Sequence, residues 1–453
     1  MSRLPRRTAR ATFTGLVAGT LAASVMTLGT AAPAHADNVT TPGDFTGYGF
    51  DQCLAPTQKS MNAWLKHSPF LSVGIYTSGD SRACRNQPNL TPTWIRKQLA
   101  RGWRLLPITL GPQASCQPRF PRYDDDETIN PKPGSKNRYR AARRQGREEA
   151  VKAVEAAQGL GIVPTSTLWY DLEGFDNTNT HCRESALSFL SAWTTKLHQL
   201  NYVSGVYSSA GSGILELDRA RINRPKAFTL PDQIWLARWD GVANTSSSYI
   251  REDGWRPHAR IKQYQGGHDE TWGGVRINID RNFLDVGRGS WAPPVAHCGN
   301  TQVDFVKYDA VMPARDGYAA DGAQVKALRC LLKEHGVFSG KVGARYNKRT
   351  QRAVNEWQRT HGFEVGPNFS RENWMSLLAA GKMGVYKFGS AGEPVRRIQR
   401  ALNAARPKAR IEVTGVFDKK TDEVLRAWQR QARLPVSGVV IGRHWAALQA
   451  GKR

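Results

Sequence analysis

Short apolar runs alternate with amphipathic segments along residues 47–286. The amphipathic segments lie at 57–67, 93–101, 140–158 and 184–200. Strands that alternate with helices predict a parallel sheet covered by helices, and eight strands in about 250 residues match an α/β fold, the (β/α)8 barrel of the TIM type. A doubly wound open sheet is the alternative. The eight runs that we expect to be strands are Y-G-F (48–50), L-S-V-G-I-Y (71–76), L-L-P-I-T-L (105–110), T-L-W-Y (167–170), V-S-G-V-Y (203–207), I-W-L-A-R-W (234–239), R-I-K-Q-Y (260–264) and I-N-I-D (277–280).

The apolar pattern after residue 307 occurs twice. Residues 287–307 have the composition of a linker, and three apolar positions beyond it recur 70 residues later: Val325, Leu328 and Leu332 return as Val395, Ile398 and Leu402. This i, i+3, i+7 spacing puts each trio on one face of a helix. We therefore expect two small helical modules, at 308–381 and 384–453.

Residues 1–36 have the pattern of a signal peptide. Four arginines precede an apolar stretch, and Ala34-His35-Ala36 gives an A-x-A cleavage site. No later apolar run is long enough to cross a bilayer. We therefore expect a secreted, extracellular protein without membrane contact after cleavage.

Positive charge is concentrated in the C-terminal part. The chain has a formal net charge of +26, and residues 308–453 hold 27 Lys and Arg against 12 Asp and Glu. Such a charge outside the cell favours an anionic polymer as partner, such as a bacterial cell wall. Nucleic acid is the other ligand of basic proteins, but the export signal argues against it. We expect the protein to be a monomer.

The cysteines favour disulfides over a metal site. None of the six lies in a C-x-x-C pair, and an even number in an exported chain is typical of disulfides. We expect no metal and no cofactor. Neighbouring loops of a barrel predict the pair Cys84–Cys116, and mouth loops predict Cys53–Cys182. A third pair, Cys298–Cys330, would join the linker to the first module.

Two carboxylates end the run T-L-W-Y. Asp171 and Glu173 are spaced i and i+2, so in a strand their side chains point to the same face. In a parallel barrel the carboxyl ends of the strands form the active-site mouth. Like charges held close together raise the pKa of one of them, which leaves an acid beside an ionised partner, as glycosidic cleavage requires. The alternative is that the pair caps the next helix or binds a neighbouring arginine.

Acidic, polar and aromatic residues also occur at or near the ends of the other predicted strands. Asp51 ends the first run and Asp280 the last, so that we expect a catalytic set of Asp51, Asp171, Glu173 and Asp280. Carboxylates beside aromatic faces suit a sugar polymer. The substrate-binding residues that we expect at the same mouth are Tyr76, Arg238, Trp239, Asp240, Gln263 and Tyr264.

The motifs G-Y-G-F-D-Q-C, W-Y-D-L-E-G, I-W-L-A-R-W-D, I-K-Q-Y-Q-G-G and I-N-I-D-R-N resemble, in order and spacing, those of secreted bacterial glycoside-hydrolase-like domains. These domains are similar to the family 25 lysozymes, which cut the muramyl–glucosaminyl bond of peptidoglycan. The resemblance covers about residues 44–286. It implies a TIM-type barrel in which Glu173 is the general acid and Asp171 stabilises the oxocarbenium-like charge. Asp51 and Asp280 would line the same pocket.

The second module resembles the three-helix peptidoglycan-binding domains. The resemblance rests on G-S-A-G-E-P-V-R-R-I-Q-R-A-L and V-T-G-V-F-D-K-K-T-D-E-V-L-R-A-W-Q, and it implies peptidoglycan as partner. The first module is a degenerate copy, with G-A-R-Y-N-K-R-T in place of G-V-F-D-K-K-T. We expect most of the module tryptophans to be core residues: Trp357, Trp374, Trp428 and Trp445.

Two hypotheses of function follow. The first is an exported glycoside hydrolase of the muramidase type, held on the cell wall by its modules. The second is a non-catalytic wall protein whose barrel only binds glycan. An unrelated phosphoester or peptide hydrolase would need metal ligands or a nucleophile with a histidine, and the sequence shows no convincing set.

Overall fold

The computed structural model describes residues 38–117 and 125–453. The predicted signal peptide lies outside these residues. None of the described helices has the length and apolar character of a membrane span. The helices are α1 (Gln58–His67), α2 (Pro92–Ala100), α3 (Arg140–Gly159), α4 (Thr180–Gln199), α5 (Gly213–Asn223), α6 (Gly322–Glu334), α7 (Lys348–Thr360), α8 (Arg371–Ala379), α9 (Glu393–Ala405), α10 (Lys419–Gln431) and α11 (Gly442–Gln449).

Eight strands form a closed barrel in the order β1-β10-β9-β8-β7-β6-β3-β2. All eight predicted runs are strands of this barrel, which excludes the open sheet, and two further short strands, β4 and β5, pair separately. The bounds are β1 (Phe45–Asp51), β2 (Ser72–Ser78), β3 (Arg104–Thr109), β4 (Gln113–Ala114), β5 (Thr128–Ile129), β6 (Thr167–Asp171), β7 (Val203–Ser209), β8 (Gln233–Ala237), β9 (Ala259–Trp272) and β10 (Val275–Val286).

The barrel differs from the predicted all-parallel form at its last strand. β10 is antiparallel to both β9 and β1, whereas the other pairs are parallel. The cause is local. A turn through Gly273 and Gly274, with φ of +58° and +76°, returns the chain directly along β9, and a hairpin of this kind can only make an antiparallel pair.

The second module covers the outer side of this hairpin region. No helix follows β8 or β9 within the described barrel residues, so the outer faces of β9, β10 and β1 need another cover. The ring of Phe388 packs 5.4 Å from that of Tyr48 and 6.3 Å from that of Phe283, between centroids. Ser290 donates a hydrogen bond to the carbonyl of Gly389, 2.7 Å away. The module therefore occupies the place that a barrel helix takes in the regular fold.

A buried lysine stabilises the contact between the second module and the barrel. Lys387 is 1% exposed, and its Nζ donates to the backbone carbonyls of Ser68 at 2.7 Å and Phe70 at 3.1 Å. Its ammonium also lies 5.9 Å from the centre of the Trp103 ring. Burial lowers the pKa of Lys387 from 10.5 to about 7, because the charged form loses its hydration.

The two modules share one hydrophobic core. Each contributes three helices, and the buried side chains of both, with the linker residue Val303, form a single cluster. Trp357, Trp374, Trp428 and Trp445 are all buried in it, as predicted. These rings therefore stabilise the modules and do not offer an aromatic binding face.

Two of the three predicted disulfide pairings are wrong. The structure joins Cys53 to Cys84 and Cys116 to Cys182, in place of Cys84–Cys116 and Cys53–Cys182. The loop after β1 reaches the loop after β2, its neighbour in the barrel, whereas the long segment after β3 reaches the start of α4. The pair Cys298–Cys330 is as predicted, and it joins the linker to α6.

We expect the stability of the chain to rise between about pH 7 and pH 10 through Lys387. Because its pKa is about 7 in the folded protein, against an ordinary value of 10.5 for a solvated lysine, the unfolded chain binds more protons in this window, and stability then increases with pH. The measurement is the thermal midpoint against pH for the unmodified chain and Lys387→Met. The rise should be absent or smaller in the variant, and identical profiles would contradict the assignment.

Candidate functional site

The acidic pair at the end of β6 faces one cavity. The strand buries T-L-W-Y and ends at Asp171, which is 3% exposed, and Glu173 two residues later is partly exposed. Both side chains line the same cavity, as the i, i+2 spacing predicts. Tyr76 donates from its hydroxyl to Asp171 Oδ2 at 3.2 Å.

A buried glutamine fixes the turn between these two carboxylates. Gln113 donates from Nε2 to the carbonyl of Asp171 at 3.0 Å and accepts from the amide of Glu173 at 2.9 Å. Its side chain is 1% exposed, so these bonds are protected from water. The orientation of Glu173 is therefore set by the backbone that Gln113 holds.

The second acidic pair is made by the antiparallel closure of the barrel. Asp51, the last residue of β1, lies directly opposite Asp280 in the register of β1 and β10. Asn282 donates to Asp51 Oδ1 at 2.6 Å. Gln263 reaches both acids with Nε2, at 3.4 Å from Asp51 Oδ1 and 3.4 Å from Asp280 Oδ2. Asp280 thus lies within β10, whereas the sequence pattern predicts it at a strand end.

This pair keeps a proton at neutral pH. Burial raises the pKa of Asp51 to about 6, against the lowering effect of its hydrogen bonds from Asn282 and Gln263. Burial also raises the pKa of Asp280, to about 8, and the adjacent Asp51 and Glu173 charges contribute to this rise. When two carboxylates are in contact and shielded from water, ionising both is unfavourable, and one of them remains an acid.

The carboxylates line a cleft that has two parts. The first part is a cavity of about 430 Å³, lined by all four acids and by Tyr76, Arg238, Trp239 and Gln263. The second part, of about 270 Å³, shares Asp51, Tyr76, Glu173 and Asp280 with the first and continues toward the Cys53–Cys84 disulfide. Glu173 therefore lies between two spaces, each of a size that suits a small ligand group.

An exposed tryptophan forms one wall of the larger part. Trp239 is 60% exposed, and its indole N–H donates to Gln263 Oε1 at 2.9 Å. Its ring lies against Gly266, where an added Cβ would be only 2.5 Å from the ring. Tyr207 donates to the same Gln263 oxygen at 3.0 Å. One amide thus connects the acidic pair to two aromatic side chains.

Two of the expected binding residues do not line this cleft. Asp240 lies beyond the end of β8 and accepts from the buried ammonium of Lys262 at 2.8 Å, which ties down the following loop. Tyr264 follows Gln263 on β9, and since side chains alternate across a strand, it faces the outer side of the barrel. There it lines a different cavity, together with Tyr48 and Arg281.

The structure adds four residues that the sequence pattern does not single out. Tyr207 and Tyr249 line the cleft, and Gln113 and Asn282 hold its carboxylates. Asn282 could have been found by the same i, i+2 rule, since it follows Asp280 by two positions. Gln113 could not, because its role depends on β4 lying against the end of β6, which is distant in sequence.

One cluster of potential metal ligands occurs among residues 38–117 and 125–453. It comprises Cys298, Cys330 and Glu334. Because the two sulfurs are bonded to each other, they are not available as thiolate ligands.

Comparison with known proteins gives two matches to family models. Residues 62–284 match the Rv2525c-like, glycoside hydrolase-like domain, and residues 391–448 match a peptidoglycan binding domain. A comparison with curated protein sequences gave no match.

Several solved structures are similar to about half of this chain at low identity. An uncharacterized B. stearothermophilus protein is 17% identical and covers 52% of this chain and 95% of its own, with a TM-score of 0.33. The Tat-secreted protein Rv2525c of Mycobacterium tuberculosis is 14% identical over 54% of this chain and 97% of its own, at 0.34. A family 25 glycosyl hydrolase from Bacillus anthracis is 13% identical over 57% and 96%, at 0.32. Similarities this weak carry no conclusion about activity.

The family models and the observed fold agree in their order along the chain. The barrel lies where the first family matches, and α9, α10 and α11 lie where the second does. Along the chain, a barrel that matches an Rv2525c-like, glycoside hydrolase-like domain is thus followed by helices that match a peptidoglycan binding domain.

Proposed function

We propose that the protein is a secreted, cell-wall-associated glycoside hydrolase of the muramidase type, which cleaves glycosidic bonds in peptidoglycan. The observation that carries this proposal is the convergence of four carboxylates on one cleft. The family assignments support it, since a glycoside hydrolase-like domain and a peptidoglycan-binding domain occur in one chain. Three disulfides agree with an extracellular location.

Glu173 is the proposed general acid. It is the carboxylate that lines both parts of the cleft from a partly exposed turn, so it can approach the oxygen of a bond that spans them. Asp171, held by Tyr76 on the same side, provides negative charge for an oxocarbenium-like transition state. The proton donor, Glu173, and the stabilising charge, Asp171, are thus proposed to lie two positions apart at the end of one strand.

Asp51 and Asp280 are proposed to bind sugar hydroxyls next to Glu173. A carboxyl group that stays protonated donates one hydrogen bond, and its ionised partner accepts others. Since the pKa of Asp280 is raised to about 8, the pair provides both functions at neutral pH. The Glu173 charge is one cause of this shift, which supports an electrostatic interaction between the pair and Glu173.

The C-terminal modules are proposed to hold the barrel on its insoluble substrate. Attachment to a polymer raises the local concentration of bonds that the cleft can reach, provided that both sites can be engaged together. The second module is packed against the barrel through Lys387 and Phe388. Bound wall would therefore be presented to the barrel in a limited range of orientations.

Glycan binding without cleavage is the second candidate. It is favoured by the deep burial of Asp51 and Asp171, which are 4% and 3% exposed and thus offer little surface to a reacting sugar. In this case the carboxylates would orient hydroxyl groups only. A hydrolase releases soluble fragments from the wall and a glycan-binding protein does not, whereas both bind the wall.

Glu173→Gln should reduce the release of soluble muropeptides from purified sacculi by about a thousandfold, because it removes the general acid and keeps its shape. Reducing ends released over time are the readout. Glu364→Gln, which changes an exposed carboxylate of the first module, serves as the matched control. Equal release by all three proteins would exclude the hydrolase and leave the glycan-binding candidate.

Activity should fall as the pH rises through about 8. Below this value Asp280 is protonated, and above it the pair carries two negative charges that repel each other and lose a hydrogen-bond donor. Asp280→Asn keeps a neutral donor at every pH, so its kcat/KM should lack this alkaline decrease. The pH profiles of the two proteins provide the test. If kcat/KM of the variant decreases at alkaline pH with the same midpoint, the decrease is caused by another titrating group.

Trp239→Ala should raise KM about tenfold, which corresponds to roughly 1–2 kcal/mol of apolar contact with a sugar ring. The change in kcat should be smaller, since Trp239 is proposed to bind the sugar and not to transfer a proton. Trp239→Phe keeps the ring but loses the hydrogen bond to Gln263, and we expect an intermediate KM. An unchanged KM in the alanine variant would remove Trp239 from the substrate site.

A further inference from the structure

A groove with cationic side chains lies on the modules, apart from the carboxylate cleft. It has a volume of about 600 Å³ and is formed by the loop after α9, the outer face of α10, the start of α8 and the C-terminus. We call it the cationic groove. Its five positive residues are Arg371, Arg406, Lys408, Lys420 and Arg453.

The floor of the cationic groove is small and apolar. Ala405, Pro407 and Ala409 form one side, and Val424 and Ala427 of α10 form the other. Positions three and four apart lie on one side of a helix, so Lys420, Val424, Ala427 and Gln431 make a continuous stripe along α10. The groove is therefore long in the direction of this helix, which suits an extended chain more than a compact molecule.

Most positive charges of the groove lack an acidic partner. Within the described parts of the chain, Arg453 is the groove cation with a salt bridge, to Glu372 at 2.5 Å. Arg371, Arg406, Lys408 and Lys420 have no carboxylate at salt-bridge distance among these residues, and Glu423 is the one acidic residue of the lining. A concave surface with this excess of positive charge attracts anions.

The first module has a smaller cavity at the equivalent position. A cavity of about 480 Å³ lies between the loop after α6 and the outer face of α7, lined by Arg349, Arg352 and Ala353. These residues correspond to Lys420, Glu423 and Val424 at the 71-residue offset of the repeat. The two cavities thus share one cation position, Arg349 and Lys420, whereas Arg352 stands where the second module has Glu423 and Phe338 stands where it has Lys408.

We propose that the cationic groove binds an anionic wall polymer of the phosphodiester type, a ligand distinct from the glycan in the barrel cleft. This inference rests on the proposed wall attachment and assigns a second ligand to it. A phosphodiester chain carries one negative charge in each unit and no positive charge, which matches a lining with five cations and a single carboxylate. Arginine forks also match phosphate oxygens in geometry. Stem peptides, the other source of anionic oxygens in a wall, also carry amines, for which this lining offers a single carboxylate, Glu423.

The test compares two triple variants of the full chain in co-sedimentation with purified sacculi. Arg406→Gln, Lys408→Gln and Lys420→Gln together remove three charges from the groove. The matched control, Lys59→Gln, Arg96→Gln and Lys97→Gln, removes one arginine and two lysines from exposed positions of α1 and α2. Each protein is measured on sacculi before and after hydrofluoric acid has removed the attached phosphodiester polymers.

On untreated sacculi the groove triple should bind about tenfold more weakly, as expected for three exposed ion pairs together, and the control triple should bind like the unmodified chain. On acid-treated sacculi the groove triple and the unmodified chain should bind alike. Equal weakening in both triples would overturn the proposal, because net charge alone would then explain binding. A difference that persists after acid treatment would overturn the phosphodiester assignment in favour of peptidoglycan carboxylates.

The result is separable from the test of hydrolysis. Release of reducing ends from soluble glycan fragments should be unchanged in the groove triple, whereas Glu173→Gln should lose release and keep sacculus binding. If the unmodified chain fails to sediment with sacculi, the proposed wall attachment is refuted, and the groove proposal with it.

Discussion

The antiparallel pairing of β10 with β1 is the constraint on which the rest of this structure depends. It closes the barrel, and its register places Asp51 directly opposite Asp280. Directly opposed residues of an antiparallel pair lie closer together than residues of separate strand ends. The contact between Asp51 and Asp280 is therefore a product of backbone hydrogen bonding, and it does not depend on the conformation of a loop.

The same pairing determines how the two domains are joined. A hairpin from β9 to β10 needs no connecting helix, so the outer faces of these strands are without the cover that each helix of a regular barrel gives. Phe388 and Lys387 of the second module fill this place. Burying an ammonium for this purpose is costly, and the lowered pKa of Lys387 is the sign of that cost. The position of the second module thus follows from the way in which the barrel closes.

Inside the barrel, Gln263 connects two kinds of chemistry. Its amide nitrogen faces Asp51 and Asp280, and its oxygen accepts from Tyr207 and Trp239. An amide held in this way cannot turn without losing bonds on both sides. The aromatic wall and the acidic pair are therefore positioned by one side chain.

The eight strands, the duplicated modules and the acidic pair of β6 could be predicted from the sequence because each depends on local periodicity. The alternation of apolar runs with amphipathic segments predicted the barrel. The i, i+2 spacing predicted that Asp171 and Glu173 face the same cavity. The direction of β10, the pairing of Cys53 with Cys84 and the separation of Tyr264 from the cleft were decided by the tertiary structure. Each of these depends on which distant segments lie side by side, and the residues near a position in sequence do not carry that information. The sequence by itself thus determined which residues could act in this protein, and the closure of the barrel decided which of them meet.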